Sequence, residues 1–225
     1  MPGKPPERAG NPARAAPLGS AQDRPVQAQV AKKSAGRPQT GRPAGEVRII
    51  GGQWKRSKLP VADTPGLRPT PDRVRETLFN WLGQDLTGWR CVDTFAGTGA
   101  LGFEAASRGA KEVILVEQNA VLVAQLKRIK EQLDASTVQV RRGEGIAALQ
   151  AWPSATADLV FLDPPFDANL FNAALRAAVQ ATAPGGYIYL ESPTPWAEET
   201  LAPLGLALHR HLKAGAVHAH LLRRA

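Results

Sequence analysis

After Gly88 the chain alternates short apolar runs with helical ones, and this alternation limits its fold more than any other feature. Residues 91–95, 113–117, 138–141, 157–162 and 186–191 read as strands. Helical stretches at 100–108, 120–133, 145–150 and 170–181 separate them. In the second of these helices Leu122, Leu126, Ile129 and Leu133 recur at helical spacing and form one apolar face. Residues 206–212 and 217–223 then alternate around Gly215 as an antiparallel pair. Repeated strand–helix steps followed by a hairpin imply an α/β class: a mostly parallel, doubly wound sheet with an antiparallel C-terminal edge.

Length and composition narrow the class further. At 225 residues the chain accommodates one main domain with an attachment. Its single cysteine, Cys91, excludes a disulfide framework and a thiolate zinc site. No run approaches the ~18 apolar residues of a membrane span, so no membrane association is expected. The charge is uneven. Residues 1–45 hold eight basic against two acidic side chains, residues 46–75 seven against three, and the remainder is slightly acidic. A basic front on a near-neutral body suggests a polyanionic partner. Residues 1–45 have no aromatic residue and many Pro, Ala, Gly and Arg, which reads as a disordered basic tail. That stretch lacks the apolar core of a secretory signal, and a cytoplasmic location is expected.

From Val47 the pattern becomes structured. Residues 47–50 and 54–61 read as two short strands about Gly51-Gly52, the second carrying Lys55, Arg56 and Lys58. Thr70 is the expected N-cap of a helix with Pro71 in its first turn, running to Leu82. Val74, Leu78, Trp81 and Leu82 form its apolar face, with Arg73 and Arg75 directed elsewhere. Lys55, Arg56, Lys58, Arg68, Arg73 and Arg75 together are the candidate nucleic-acid surface. Trp54, Trp81 and Trp89 read as core residues. His209, His211, His218 and His220 alternate along the last two strands and read as strand-surface residues, with no metal expected.

Open α/β sheets bind ligands at the carboxyl ends of their strands, so the chemistry is sought there. The first end is Asp93-Thr94-Phe95-Ala96-Gly97-Thr98-Gly99, a glycine-rich turn that lets a ligand approach the backbone. With Gly102 it also satisfies a dinucleotide fingerprint, but Asp93 would repel a pyrophosphate and suits a cation or an amine. The second end is Glu117, about 20 positions on, the usual spacing of a ribose hydroxyl acceptor. The third is Asp163-Pro164-Pro165-Phe166. Two consecutive prolines fix the backbone so that the Asp163 carboxylate and the Pro164 carbonyl face one point. Two acceptors at one point suit a planar NH₂ group, and Phe166 is available to stack on its ring.

These elements together resemble the S-adenosylmethionine-dependent amino-methyltransferases. More closely, VRIIGGQWKRSKLPV, PGLRPTPDRVRETLFNWL, DTFAGTGALGFEA and FLDPPF resemble the RsmD family of 16S rRNA (guanine-N2)-methyltransferases. The resemblance covers residues 46–223. It implies a Rossmann-like methyltransferase fold with a seven-stranded sheet, preceded by a short N-terminal hairpin and helix. The implied organisation is a tail at 1–45, an RNA-facing extension at 46–87 and the methyltransferase domain at 88–225. The implied cofactor is S-adenosylmethionine, with Asp93, Phe95, Ala96, Gly97 and Gly99 at its methionine end. Glu117 would hold its ribose, with Gln118 beside the adenine and Glu144 near the adenine amine. Asp163, Pro164, Pro165 and Phe166 would be catalytic. The implied partner is 16S rRNA within an assembled or assembling small ribosomal subunit, met by a monomer.

Three other readings use the same features. A DNA or RNA adenine-N6 or cytosine-N4 methyltransferase would share the pocket chemistry, but residues 46–89 are too short for a separate target-recognition domain. A non-catalytic RNA-binding module would have no reason to keep Asp163-Pro164-Pro165-Phe166 intact. A nicotinamide oxidoreductase is disfavoured by Asp93.

Overall fold

The computed structural model describes residues 45–61, 70–166 and 170–225. The tail at 1–44 and Arg68 lie outside these residues. Two three-residue strands, β1 (Glu46–Arg48) and β2 (Lys58–Pro60), pair antiparallel with Val47 opposite Leu59. Both inward residues are buried. The second strand begins four residues later than its sequence suggests. Trp54 to Arg56 form part of the connecting turn, where Arg56 adopts φ 74°, so Lys55 and Arg56 sit on that turn and only Lys58 on the strand. Helix α1 (Asp72–Trp81) follows. Its N-cap is Pro71 rather than Thr70, and no side chain caps it.

The main sheet is built from β3 (Arg90–Asp93), β4 (Glu112–Glu117), β5 (Val138–Arg142), β6 (Ala157–Leu162), β7 (Thr182–Ser192), β8 (Leu206–Ala214) and β9 (Val217–Arg224). Their order is β5-β4-β3-β6-β7-β9-β8. The first five are parallel, and β9 runs antiparallel between β7 and β8. Between them lie α2 (Ala100–Ser107), α3 (Ala120–Gln132), α4 (Gly145–Gln150) and α5 (Phe171–Ala181). The short α6 (Glu198–Leu201) precedes β8. Strand β7 starts four residues before the apolar run at 186. Thr182 already pairs with Ala157, and the register then shifts before Tyr187 meets Leu159.

Side chains of a strand alternate between faces, so the sheet feeds two cores. On one face Cys91, Val113, Leu115, Leu159, Phe161 and Tyr189 meet α1, α2, α3 and the N-terminal hairpin. On the other, Val92, Val160, Leu162, Ile188 and Leu190 meet α4 and α5. Phe161 and Tyr189 touch edge to face with ring centroids 6.3 Å apart, a favoured aromatic geometry. Strands β3 and β6 are neighbours in space but distant in sequence. The chain's direction of growth across the sheet reverses there, the point at which open α/β sheets bind ligands beyond the carboxyl ends of their strands.

The N-terminal extension is fastened to this sheet through one buried acid. Glu104 of α2 accepts the N–H groups of Ile50 at 2.7 Å and Gly51 at 2.8 Å. It also accepts the Arg108 guanidinium at 2.8 Å and lies 3.5 Å from that of Arg75. Arg75 is fully buried, donating to the Arg48 carbonyl at 2.8 Å and to Asp72 at 2.7 Å. It therefore does not belong to an RNA-facing surface, contrary to its place in the basic segment. The reason is tertiary: it stands beside Val74 on the helix and faces Glu104, brought by α2, across the core.

Candidate active site

Helix α2 begins immediately after the glycine-rich turn, so whatever fixes α2 also fixes that turn. Gly99 has φ 78°, and a Cβ there would collide with Leu126 and Phe103. Gly102 lies so close to Leu115 that a side chain would overlap it, and its N–H donates to Asp93 Oδ2 at 3.0 Å. The third glycine of the apparent dinucleotide fingerprint thus serves helix–strand packing and the seating of Asp93.

Asp93 closes β3 and is 3% exposed. Burial, followed by the negative charge of Glu117, pushes its carboxyl up to about 7, against the pull of the Gly102 N–H. Thr94 follows it, with a buried hydroxyl that finds no partner among the described residues. Phe95 and Gly97 are half-buried, while Ala96 and Gly99 are buried. At the end of β4 Glu117 accepts the Gly97 N–H at 2.9 Å and the Asn119 N–H at 2.8 Å. One oxygen goes to each donor. Every carboxylate oxygen carries two acceptor positions, so each keeps one for a ligand hydroxyl. Gln118 beside it is exposed. Glu144 is exposed and caps α4, accepting Ile146 N at 2.9 Å and Ala147 N at 2.7 Å. It too holds backbone in place while leaving acceptor capacity free.

The turn and these acids fit S-adenosylmethionine chemically. An acid held deep beside a glycine turn favours a cation, the orphaned Thr94 hydroxyl wants a polar partner, and Glu117 keeps hydroxyl-accepting positions. Asp93 in the same group would repel a pyrophosphate.

Asp163 follows β6 and is half-buried; Pro164 is buried, and Pro165 and Phe166 are exposed. Burial raises the Asp163 carboxyl well above the ordinary range, aided by the charges of Glu191 and Asp93. Phe166 is 40% exposed, a large apolar ring turned partly to solvent. It leans against Phe171, centroids 6.2 Å apart, and Phe171 in turn against Trp196 at 6.5 Å. Asp93 is paired in register with Phe161, two residues before Asp163. Residues 70 positions apart in sequence thereby meet at one sheet edge.

The family model described as Conserved hypothetical protein 95 matches residues 47–223. The Escherichia coli protein named Ribosomal RNA small subunit methyltransferase D is 41% identical over 183 residues, covering 80% of this chain and 91% of its own. The chain belongs to the RsmD family. Its Haemophilus influenzae relative of the same name is 43% identical, over 68% of this chain and 82% of that one. Among solved structures, the yhhF protein of Escherichia coli superposes with a TM-score of 0.70 at 40% identity, covering 80% and 98% of the two chains. A precorrin-6y methyltransferase of Geobacter metallireducens, 16% identical with a TM-score of 0.58, shares the fold alone. The seven-stranded Rossmann-like methyltransferase fold implied by the RsmD motifs is therefore the fold of this chain.

Of the expected basic surface, Lys55, Arg56, Lys58 and Arg73 are exposed. Lys58 pairs with Glu46 at 2.9 Å. His220 departs from the strand-surface expectation. It is fully buried, its Nε2 accepting the Trp196 N–H at 3.1 Å while burial lowers its pKa to about 4. Sequence reasoning passed over three polar residues at this end of the sheet: Glu191, Tyr189 and, near Glu191, Thr70. The available signal was a carboxylate ending the apolar run 186–191, beside the strand that ends in Asp163.

Proposed function

We propose that this RsmD-family chain is an S-adenosylmethionine-dependent rRNA methyltransferase that modifies the exocyclic N2 of a guanine in 16S rRNA. The observation that carries this reading is Asp163-Pro164-Pro165-Phe166 at the carboxyl end of β6, beside the Asp93 turn. The rRNA assignment draws on the names of relatives that cover most of the chain.

When bound, S-adenosylmethionine supplies an electrophilic methyl group on a sulfonium. Asp93, Phe95, Ala96, Gly97 and Gly99 would hold its methionine end, Glu117 its ribose, and Gln118 and Glu144 its adenine. The guanine N2 lone pair is delocalised into the ring and is a poor nucleophile. The Asp163 carboxylate and Pro164 carbonyl accept its N–H groups and draw the lone pair out of conjugation, towards the donor. Orientation and electrostatics of this kind are each worth several kcal/mol, about 3 or more. The base enters unpaired, turned out of its helix. Phe166 stacks on it, a contact worth ~1–3 kcal/mol.

Lys55, Arg56 and Arg73 supply phosphate contacts, and the basic tail at 1–45 acts as a tether through counterion release. The RNA is met within an assembled or assembling small subunit. The adenine and cytosine alternatives use the same clamp and differ only in the product nucleoside. Calorimetry tests the reading at its root: S-adenosylmethionine binds the purified chain, and a chain that binds none is not this enzyme.

A further inference from the structure

The last register pair between β6 and β7 is Leu162 with Leu190, and the next residues along are Asp163 and Glu191. Alternation puts Glu191 on the same face as Tyr189, and Asp163 on the same face as Phe161. Glu191 is 4% exposed. Its Oε1 accepts the Tyr189 hydroxyl at 2.8 Å, and the Thr70 side chain lies near its carboxylate. Thr70 is the residue expected to cap α1; its side chain does not cap that helix. Among the described residues neither Glu191 nor Asp163 forms an ion pair.

Two acids set side by side do not ionise independently. The groups that bear on the pair are Asp93 from β3, Tyr189 from β7 and Thr70 ahead of α1. Strand β9 sets Ala219, which carries no charge, opposite Glu191. Burial raises both carboxyls, but the Tyr189 hydroxyl and the nearby Thr70 side chain pull Glu191 back towards the charged form. Among the described residues Asp163 has no such donor, and the neighbouring Glu191 charge raises it further. The Tyr189 hydroxyl bonded to Glu191 favours its charged form, and that charge on the neighbouring strand favours a proton on Asp163.

We propose that Glu191 is a positioning residue for the transfer: held by Tyr189, its carboxylate acts through Asp163 and makes Asp163 the acceptor of the proton the target amine releases. This rests on the amine-transfer reading given above. The amine nitrogen forms its bond to the methyl carbon as the sulfur–methyl bond breaks, with the electron pair staying on sulfur. The nitrogen then carries one hydrogen too many and a positive charge. It gives one proton to Asp163, which the adjacent Glu191 charge has made receptive. The half-buried Asp163 later returns that proton to water.

The test is a pair of pH–rate profiles at saturating substrates, joined to a carboxyl titration of the substrate-free protein. In Glu191→Gln the acid limb moves down by about one pH unit or more. The rate above the limb falls about tenfold, the low end of what a positioned proton acceptor contributes. The S-adenosylmethionine affinity stays unchanged, and Glu191→Asp restores the limb. A limb that does not move in Glu191→Gln overturns the proposal. NMR of chain labelled at aspartate carboxyls decides the matter even if that variant fails to fold. The Asp163 signal, identified by its loss in Asp163→Asn, titrates well above ordinary aspartate, whose value is ~3.9. An ordinary midpoint overturns the proposal. A raised midpoint in a chain that methylates no RNA overturns instead the amine-transfer reading on which the proposal rests.

Discussion

Arg75 of α1 and Glu104 of α2 face each other inside the core, 3.5 Å apart and both fully buried. Glu104 is also the acceptor for Arg108 and for two backbone N–H groups of the N-terminal hairpin. One acid thus ties the hairpin, α1 and the helix behind the glycine-rich turn into one body. Removing one partner of a buried ion pair leaves the rest uncompensated and costs about 3–5 kcal/mol. Glu104→Gln is expected to lower stability by that amount, read as a shift in the urea midpoint with the slope unchanged. The binding of S-adenosylmethionine should weaken with it, because α2 carries Gly102 and seats Asp93.

Asp163→Ala is expected to abolish methyl transfer while leaving the donor's affinity within a few-fold of the natural chain. Asp163 follows β6, whereas the turn that would hold the donor follows β3. Single-turnover assays paired with calorimetry check this, and retained turnover would remove the proposed clamp.

Charge reversal at Lys55, Arg56 and Arg73 should weaken RNA binding at every sequence. It should reduce the slope of log affinity against log salt by about one for each phosphate that is no longer neutralised. Lys58 should matter less, since Glu46 already neutralises it. Arg75→Ala should leave the salt slope unchanged and appear only as lost stability. A slope that falls in Arg75→Ala would return that residue to the RNA surface.

Asp93 gives a pH signature. Its folded value of about 7 exceeds the ordinary ~3.9 of an unfolded aspartate. Between the two values the folded chain binds more protons than the unfolded one, so this group's contribution falls as pH rises. Above about 7 the loss is complete. Asp93→Asn keeps an acceptor for the Gly102 N–H and removes the buried charge. Its melting temperature should exceed that of the natural chain at pH 8, and the gap should close near pH 4. Thermal melts of the ligand-free protein across that range check both ends.

The doubly wound sheet was legible because five apolar runs at regular spacing leave few alternatives. The antiparallel edge followed from the alternation around Gly215. The hairpin was legible in kind but not in extent: Gly51-Gly52 announced a turn, and nothing local shows that Trp54 to Arg56 continue it. Arg75 and His220 were misjudged for one reason. Both are polar residues in polar surroundings along the chain, and their burial depends on Glu104, Leu190 and Trp196, partners brought by tertiary packing. The placement of the candidate residues Asp93, Glu117 and Asp163 at one edge was legible because topology alone gathers these strand ends. Glu191 stands in the same kind of position, but no glycine turn or proline pair marks it.

The most direct test incubates the purified chain with labelled S-adenosylmethionine and small-subunit particles lacking the modification, then analyses the nucleosides of the recovered 16S rRNA. The account predicts label in N2-methylguanosine at a single position. Label in N6-methyladenosine or N4-methylcytidine, or none in the RNA at all, would contradict it.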